Sequence, residues 1–236
     1  MTEAVAHRGD PYHHRENTLP SVRSALLKGA DVVEVDVRLT SAGEPVLLHD
    51  PTLERLWGSP DPVTSLTSDA LFKLTDGQVP SLADALGELA GHERGRMLLD
   101  LTEPAQAAPA LAAARESALG DRVYYCGGPA AMRELRGLDQ DVEIALTWTT
   151  SALPGKGLLA EIQPRWLNLR FGLIDAPLVA WCHGRHLKVA AWTADWERSM
   201  GRLARLGVDA VTSNRLTALQ RVLRADAARR AGRTGR

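Results

Sequence analysis

Cysteine is scarce in this chain of 236 residues. Cys126 and Cys182 are its only two, far apart and outside any metal-type spacing. Neither a disulfide scaffold nor a thiolate metal site is expected, and both thiols read as free and buried. No run approaches the about 18 apolar residues of a membrane span. The opening "MTEAVAHRG" has no basic segment leading into an apolar one. No secretory leader is therefore expected, and the protein reads as cytoplasmic. An excess of one charge sign is also missing. The net charge of −1 points away from nucleic acid and from stable membrane association.

What is present is an alternation. Short apolar runs at 3–7, 30–39, 44–49, 95–101, 121–126, 141–148, 165–170, 187–193 and 207–213 read as strands. Helix-like stretches at 18–29, 80–91, 103–120, 128–138, 157–164, 175–186, 195–207 and 215–230 separate most of them. Thr18 or Asn17 can cap the first helix and Gly29 can end it. Ser81 precedes another helix that ends at Gly91. Repeated strand–helix units predict an α/β chain with a parallel sheet, and about eight of them fit a (β/α)8 TIM barrel. A doubly wound open sheet is the alternative. The strands at 30–39 and 44–49 are joined by a short turn, a local departure from the βα step. Segment 50–79, rich in Pro, Gly, Ser, Asp and Thr, reads as a small insertion after the third strand. One domain over 1–225 is expected, with a disordered basic tail over 226–236.

The chemistry gathers at strand ends. In "VVEVDVRL" side chains alternate, so Glu34 and Asp36 share one face and Val33, Val35 and Val37 the other. Both faces of a barrel strand are normally buried, and two carboxylates there need compensation. A hard divalent cation such as Mg²⁺ or Ca²⁺ would supply it; a solvated edge strand would make it unnecessary. His7 ends the first apolar run and His49 the run "PVLLH". Strand C-termini form the working face of such a barrel, where two histidines can serve as general acid and base. Asp100, after "MLL", can complete a carboxylate triad. Glu103 is a fallback, although its place before Pro104 reads as a helix start. Arg8 offers a planar fork that suits phosphate. Glu16, in the loop after the first strand, can hydrogen-bond within the same site.

The order of these motifs carries a resemblance. Residues 6–58 contain HRG, ENT, "GADVVEVDV" and "TSAGEPVLLHDPTLER" in sequence, followed by "VPSLADAL", "AAWTAD" and "GVDAVTSNRL". This series resembles the glycerophosphodiester phosphodiesterase family. The resemblance implies a barrel enzyme that hydrolyses glycerophosphodiesters to sn-glycerol 3-phosphate and an alcohol. His7 and His49 would be the acid and base, and Glu34, Asp36 and Asp100 would hold one divalent metal ion. Arg8 would touch the phosphate and Trp192 would line the pocket.

Three departures from the family pattern stand out. Asp100 takes the place of a glutamate, Thr102 that of a phosphate-side lysine, and Asn214 that of an acid at the barrel rim. Loss of the lysine leaves a positive charge missing. Two further readings stay open: a related barrel acting on another phosphodiester (a lysophospholipid, or by a cyclising route), or a weakened barrel that binds metal and ligand. The short polar insertion and the lack of a large apolar lid favour small soluble substrates.

Overall fold

The computed structural model describes residues 1–234. Nine strands follow the predicted order: β1 (Glu3–His7), β2 (Val32–Leu39), β3 (Pro45–Leu47), β4 (Arg96–Leu101), β5 (Val123–Gly127), β6 (Ile144–Trp148), β7 (Trp166–Arg170), β8 (Lys188–Trp192) and β9 (Ala210–Ser213). The helices are α1 (Leu19–Leu27), α2 (Glu54–Trp57), α3 (Ser68–Thr75), α4 (Leu82–Ala90), α5 (Ala107–Glu116), α6 (Pro129–Leu138), α7 (Lys156–Ile162), α8 (Ala176–His183), α9 (Glu197–Leu206) and α10 (Leu216–Thr234). The sheet order is β1-β9-β8-β7-β6-β5-β4-β2-β3, and β1 also pairs with β2. That pairing closes eight parallel strands into a barrel and rules out the open sheet.

Strand β3 is not one of the eight staves. It runs antiparallel along β2, with Val37 opposite Leu47 and Leu39 opposite Pro45. Gly43, at φ +79°, makes the tight return between them.

Side-chain alternation divides the core in two. Val33, Val35, Val37, Leu99 and Leu101 face outward beneath the helices. Val5, Val32, Leu98, Tyr124, Ala145 and Trp166 fill the lower barrel interior. Helix ends follow local chemistry. Thr18 caps α1 by accepting from Ser21 N, and Ser81 with Asp84 forms a capping box on α4.

Helix α10 continues through Thr234 and so takes in residues 226–234 of the expected tail. Asp226 is buried, accepts from Arg230 Nε at 2.7 Å, and lies within 3.6 Å of Arg229. These pairs at i+3 and i+4 support the helix, and Arg230 also reaches the Ala204 carbonyl of α9. Residues 235 and 236 of that expected tail lie outside the described residues.

The insertion has an apolar underside: Val46, Leu48, Leu53, Val63, Leu71 and Val79 pack together. Both cysteines are free and buried. Among the described residues, no helix is long and apolar enough to cross a membrane.

Candidate active site

The site begins with parity. On β2, Val32, Glu34, Asp36 and Arg38 point into the barrel, two residues apart and progressively nearer its C-terminal mouth. The registers align His7 with Glu34, and Asp36 with Asp100. Carboxylate oxygens of Glu34, Asp36 and Asp100 consequently lie within 4.8 Å of one another.

Three acids in so small a buried space repel each other. Burial, then the charges of Asp36 and Asp100, raise the Glu34 carboxyl well above its ordinary range. Burial and Asp36 push Asp100 up to about 6. The donor set, hard oxygens with uncompensated charge, fits a divalent cation.

The turn after β1 is built around this cluster. Arg8 and Gly9 both adopt left-handed backbone, at φ +58° and +87°. A side chain at Gly9 would put its Cβ 2.6 Å from the Ser21 backbone carbon, so glycine is required there. The strained Arg8 backbone is anchored at both ends. Its N–H donates to Glu34 Oε2 at 3.0 Å, and its carbonyl accepts from Ser21 Oγ at 2.9 Å. Arg8 Nη1 donates to Glu16 Oε1 at 2.8 Å. Arg8 Nε is buried 3.0 Å from Asp36 Oδ2, yet it is not aligned for a hydrogen bond. It remains a buried donor without a partner beside the acid cluster.

Asn17, an alternative helix cap by sequence, has another task. Its amide donates to Asp36 Oδ2 at 2.7 Å and accepts from Asp36 N at 3.1 Å, which locks that carboxylate. Glu16 is held by two arginines. Burial alone would raise its carboxyl, but Arg55 and Arg8 hold it below the ordinary value.

His7 is oriented by residues from the last strand's end. The Asp195 carboxylate accepts from Asn214 Nδ2 and from Asn214 N, both at 2.8 Å. A carboxylate can only accept, so the Asn214 oxygen is the end that faces His7, at 2.8 Å from Nδ1. His7 therefore donates from Nδ1. Its Nε2 is left without a proton in the neutral ring and lies 3.8 Å from Glu34 Oε2. Burial pushes the imidazole below its usual pKa, helped by the Arg8 charge, so the neutral ring is favoured. Asn214 is thus a contact of His7 rather than a residue of the outer rim.

His49 arrives by another route than expected. It does not end a barrel stave, because β3 doubles back along β2 until Leu48 N donates to Asp36 O at 3.0 Å. That return sets His49 at the level of the acids. Its side chain is 44% exposed, and Nδ1 lies 2.7 Å from Asp50 Oδ1. Asp50 also accepts from Arg55. These two bonds outweigh burial and hold the Asp50 carboxyl below its ordinary pKa. Trp192 closes β8, with the Arg170 guanidinium 5.5 Å from its ring centroid, and its buried Nε1 has no partner.

Arg38 was absent from the sequence reading, although it shares the parity of Glu34 and Asp36. Its Nε and Nη2 both donate to the His49 carbonyl, at 3.1 and 2.6 Å. Its Nη1 donates to Thr102 Oγ1 at 3.0 Å.

Comparison with known proteins gives a consistent result. The model of the glycerophosphoryl diester phosphodiesterase family matches residues 7–218. A glycerophosphodiester phosphodiesterase of Caldanaerobacter subterraneus is 24% identical over 90% of this chain and 94% of its own. Among solved structures, a glycerophosphodiester phosphodiesterase of Parabacteroides distasonis superposes with a TM-score of 0.83 at 22% identity, over 96% of this chain and 98% of that one. A phosphodiesterase of Oleispira antarctica, in complex with the product sn-glycerol-3-phosphate, gives 0.82 at 24% identity, over 94% and 97%.

Proposed function

The chain belongs to the glycerophosphoryl diester phosphodiesterase family, and from that premise we propose that it hydrolyses glycerophosphodiesters to sn-glycerol 3-phosphate and an alcohol. The observation that carries this reading is one convergence: three carboxylates within 4.8 Å of one another, with the bare nitrogen of His7 beside them.

Glu34, Asp36 and Asp100 would hold a divalent cation, and its chemistry is to polarise a phosphoryl oxygen and offset its charge. The protein's own groups do the rest. Arg8, ion-paired with Asp36 and Glu16, sets its guanidinium charge beside the phosphate. His7, with Nδ1 donating to Asn214, takes the proton of the nucleophile on Nε2. His49, with Nδ1 donating to Asp50, delivers a proton from Nε2 to the leaving alcohol. His7 is buried, which favours the neutral ring that a base needs, whereas the His49 side chain is 44% exposed with Nδ1 on the Asp50 carboxylate. That contrast supports His7 as base and His49 as acid. The nucleophile is water or the neighbouring glycerol hydroxyl. Trp192, at the C-terminal end of β8, lines the pocket with its ring.

A second reading has its own observation. Tyr12 and Trp196, in the mouth loops after β1 and β8, are 65% and 71% exposed. Apolar rings at the entrance favour an alcohol with a hydrocarbon part, such as a lysophospholipid.

Phosphorus NMR on glycerophosphocholine and lysophosphatidylcholine, each with Mg²⁺, Ca²⁺, Mn²⁺ or EDTA, tests both readings. The expected result is metal-dependent release of sn-glycerol 3-phosphate from the first. A cyclic phosphate among the products would identify the glycerol hydroxyl as nucleophile, and preference for the second would select the lipid reading. No turnover of either substrate with any metal would sink the proposal.

A further inference from the structure

Arg38 is the cation of this site that neither its motifs nor its histidines announce. It stands on the inner face of β2, two residues above Asp36, with its side chain only 15% exposed. A guanidinium has five N–H donors. Two bonds to the His49 carbonyl and one to Thr102 Oγ1 use three of them, which leaves two uncommitted. Among the described residues, the only carboxylate close to it beyond the acid cluster is that of Glu103, 3.7 Å away and itself exposed.

Arg8 and Arg38 therefore flank the acids from two sides. Arg8 lies after β1, held by Glu16. Arg38 lies toward β4, held by neutral groups. A guanidinium paired mostly with neutral oxygens keeps its charge available for an anion. Its position over Thr102 also explains how the site can lack a charged side chain at 102.

We infer that Arg38 is a second phosphate-contacting residue, which delivers from β2 the positive charge that Thr102 does not carry. Its fork on the His49 carbonyl holds the acid-bearing loop in register with the same phosphate. This inference rests on the proposed phosphodiester substrate.

The test separates the two claims. Calorimetry with sn-glycerol 3-phosphate is run on Mg²⁺-loaded protein, and turnover of glycerophosphocholine is measured in parallel. Arg38→Gln is expected to weaken sn-glycerol 3-phosphate binding at least tenfold. The double variant R38Q/T102K is expected to recover most of that loss, because a lysine at 102 reaches the vacated place. Thr102→Lys alone is expected to lower turnover, since it forces a second cation against Arg38.

Unchanged binding in R38Q overturns the inference, as does absence of binding in the wild type. A double variant no better than R38Q also overturns it, as does a gain in turnover for T102K alone. Arg38-dependent binding without turnover in the wild type would instead overturn the proposed reaction and leave the anion site standing.

Discussion

The two ends of the barrel interior are built by the same strands and do opposite things. Strand β2 offers Val32 below and Asp36 above, and β4 offers Leu98 below and Asp100 above. At the lower end, Tyr124 and Trp166 stack with ring centroids 6.1 Å apart. Arg96 and Lys188 cover those rings from outside, at 4.3 and 4.4 Å. This end is sealed by contacts that lower the free energy without any ligand. Two residues further along, the same staves hold three acids, and burial together with the neighbouring carboxylates raises the pKa of Glu34 and Asp100. The upper end is therefore a place of stored repulsion. The lesson is that one step of strand period separates a residue that holds the barrel from one that works in it.

The sharpest way to break that contrast is to remove the two histidines proposed to carry protons. His7→Ala and His49→Ala should each lower kcat/KM by about 10²- to 10⁴-fold while the melting temperature stays near that of the wild type. Retention of near-full activity in both, under saturating metal, would show that proton transfer does not run through them.

A crossed pair of substitutions sharpens it. Leu98→Ala should cost about 2–5 kcal/mol of stability, because it opens a cavity in the sealed end. Asp100→Asn should abolish activity yet stabilise the metal-free protein at pH 7–8. The sign follows from the raised pKa of Asp100. A carboxyl that prefers its proton in the folded state stabilises that state at low pH. The contribution is lost as pH rises from about 4 through about 6. Thermal melts of metal-free protein should show the two proteins alike near pH 4, with the asparagine variant higher above pH 6. A lower melting temperature for D100N at pH 8 would contradict the stored repulsion.

The smallest expected effect lies behind His7. Asn214→Leu should cost about tenfold in kcat with little change in KM, since it removes the acceptor that sets the imidazole tautomer. Nitrogen NMR of the His7 ring should show the Nδ1–H form in the wild type and a shift towards Nε2–H in the variant. An Nε2–H ring in the wild type would refute the assignment.

How much of this could be read beforehand depends on the kind of signal. Period-2 alternation exposed Glu34 and Asp36 as a pair, because a strand's parity survives in one dimension. The same alternation extends to Arg38, but a single arginine at a strand end has no signature unless its acceptors are known. Those acceptors are the His49 carbonyl and Thr102 Oγ1, which are 11 and 64 residues away. Asn214 was visible only as a departure from a pattern. Its meaning depends on Asp195 turning the amide, and on barrel closure bringing β9 beside β1. The helix-like stretch reads only to residue 230 because composition registers the arginines and alanines of the tail but not the burial of Asp226.

The sequence by itself determined the order of the elements, the barrel class and the types of chemistry at each strand end. These follow from local spacing, turn residues and the sign of each side chain. Tertiary structure alone decided which nitrogen of His7 is free, why His49 reaches the acids from a strand outside the barrel, and where the missing charge at Thr102 is made good. Each of these is a relation between residues brought together by closing the sheet, and such contacts leave no trace in local spacing.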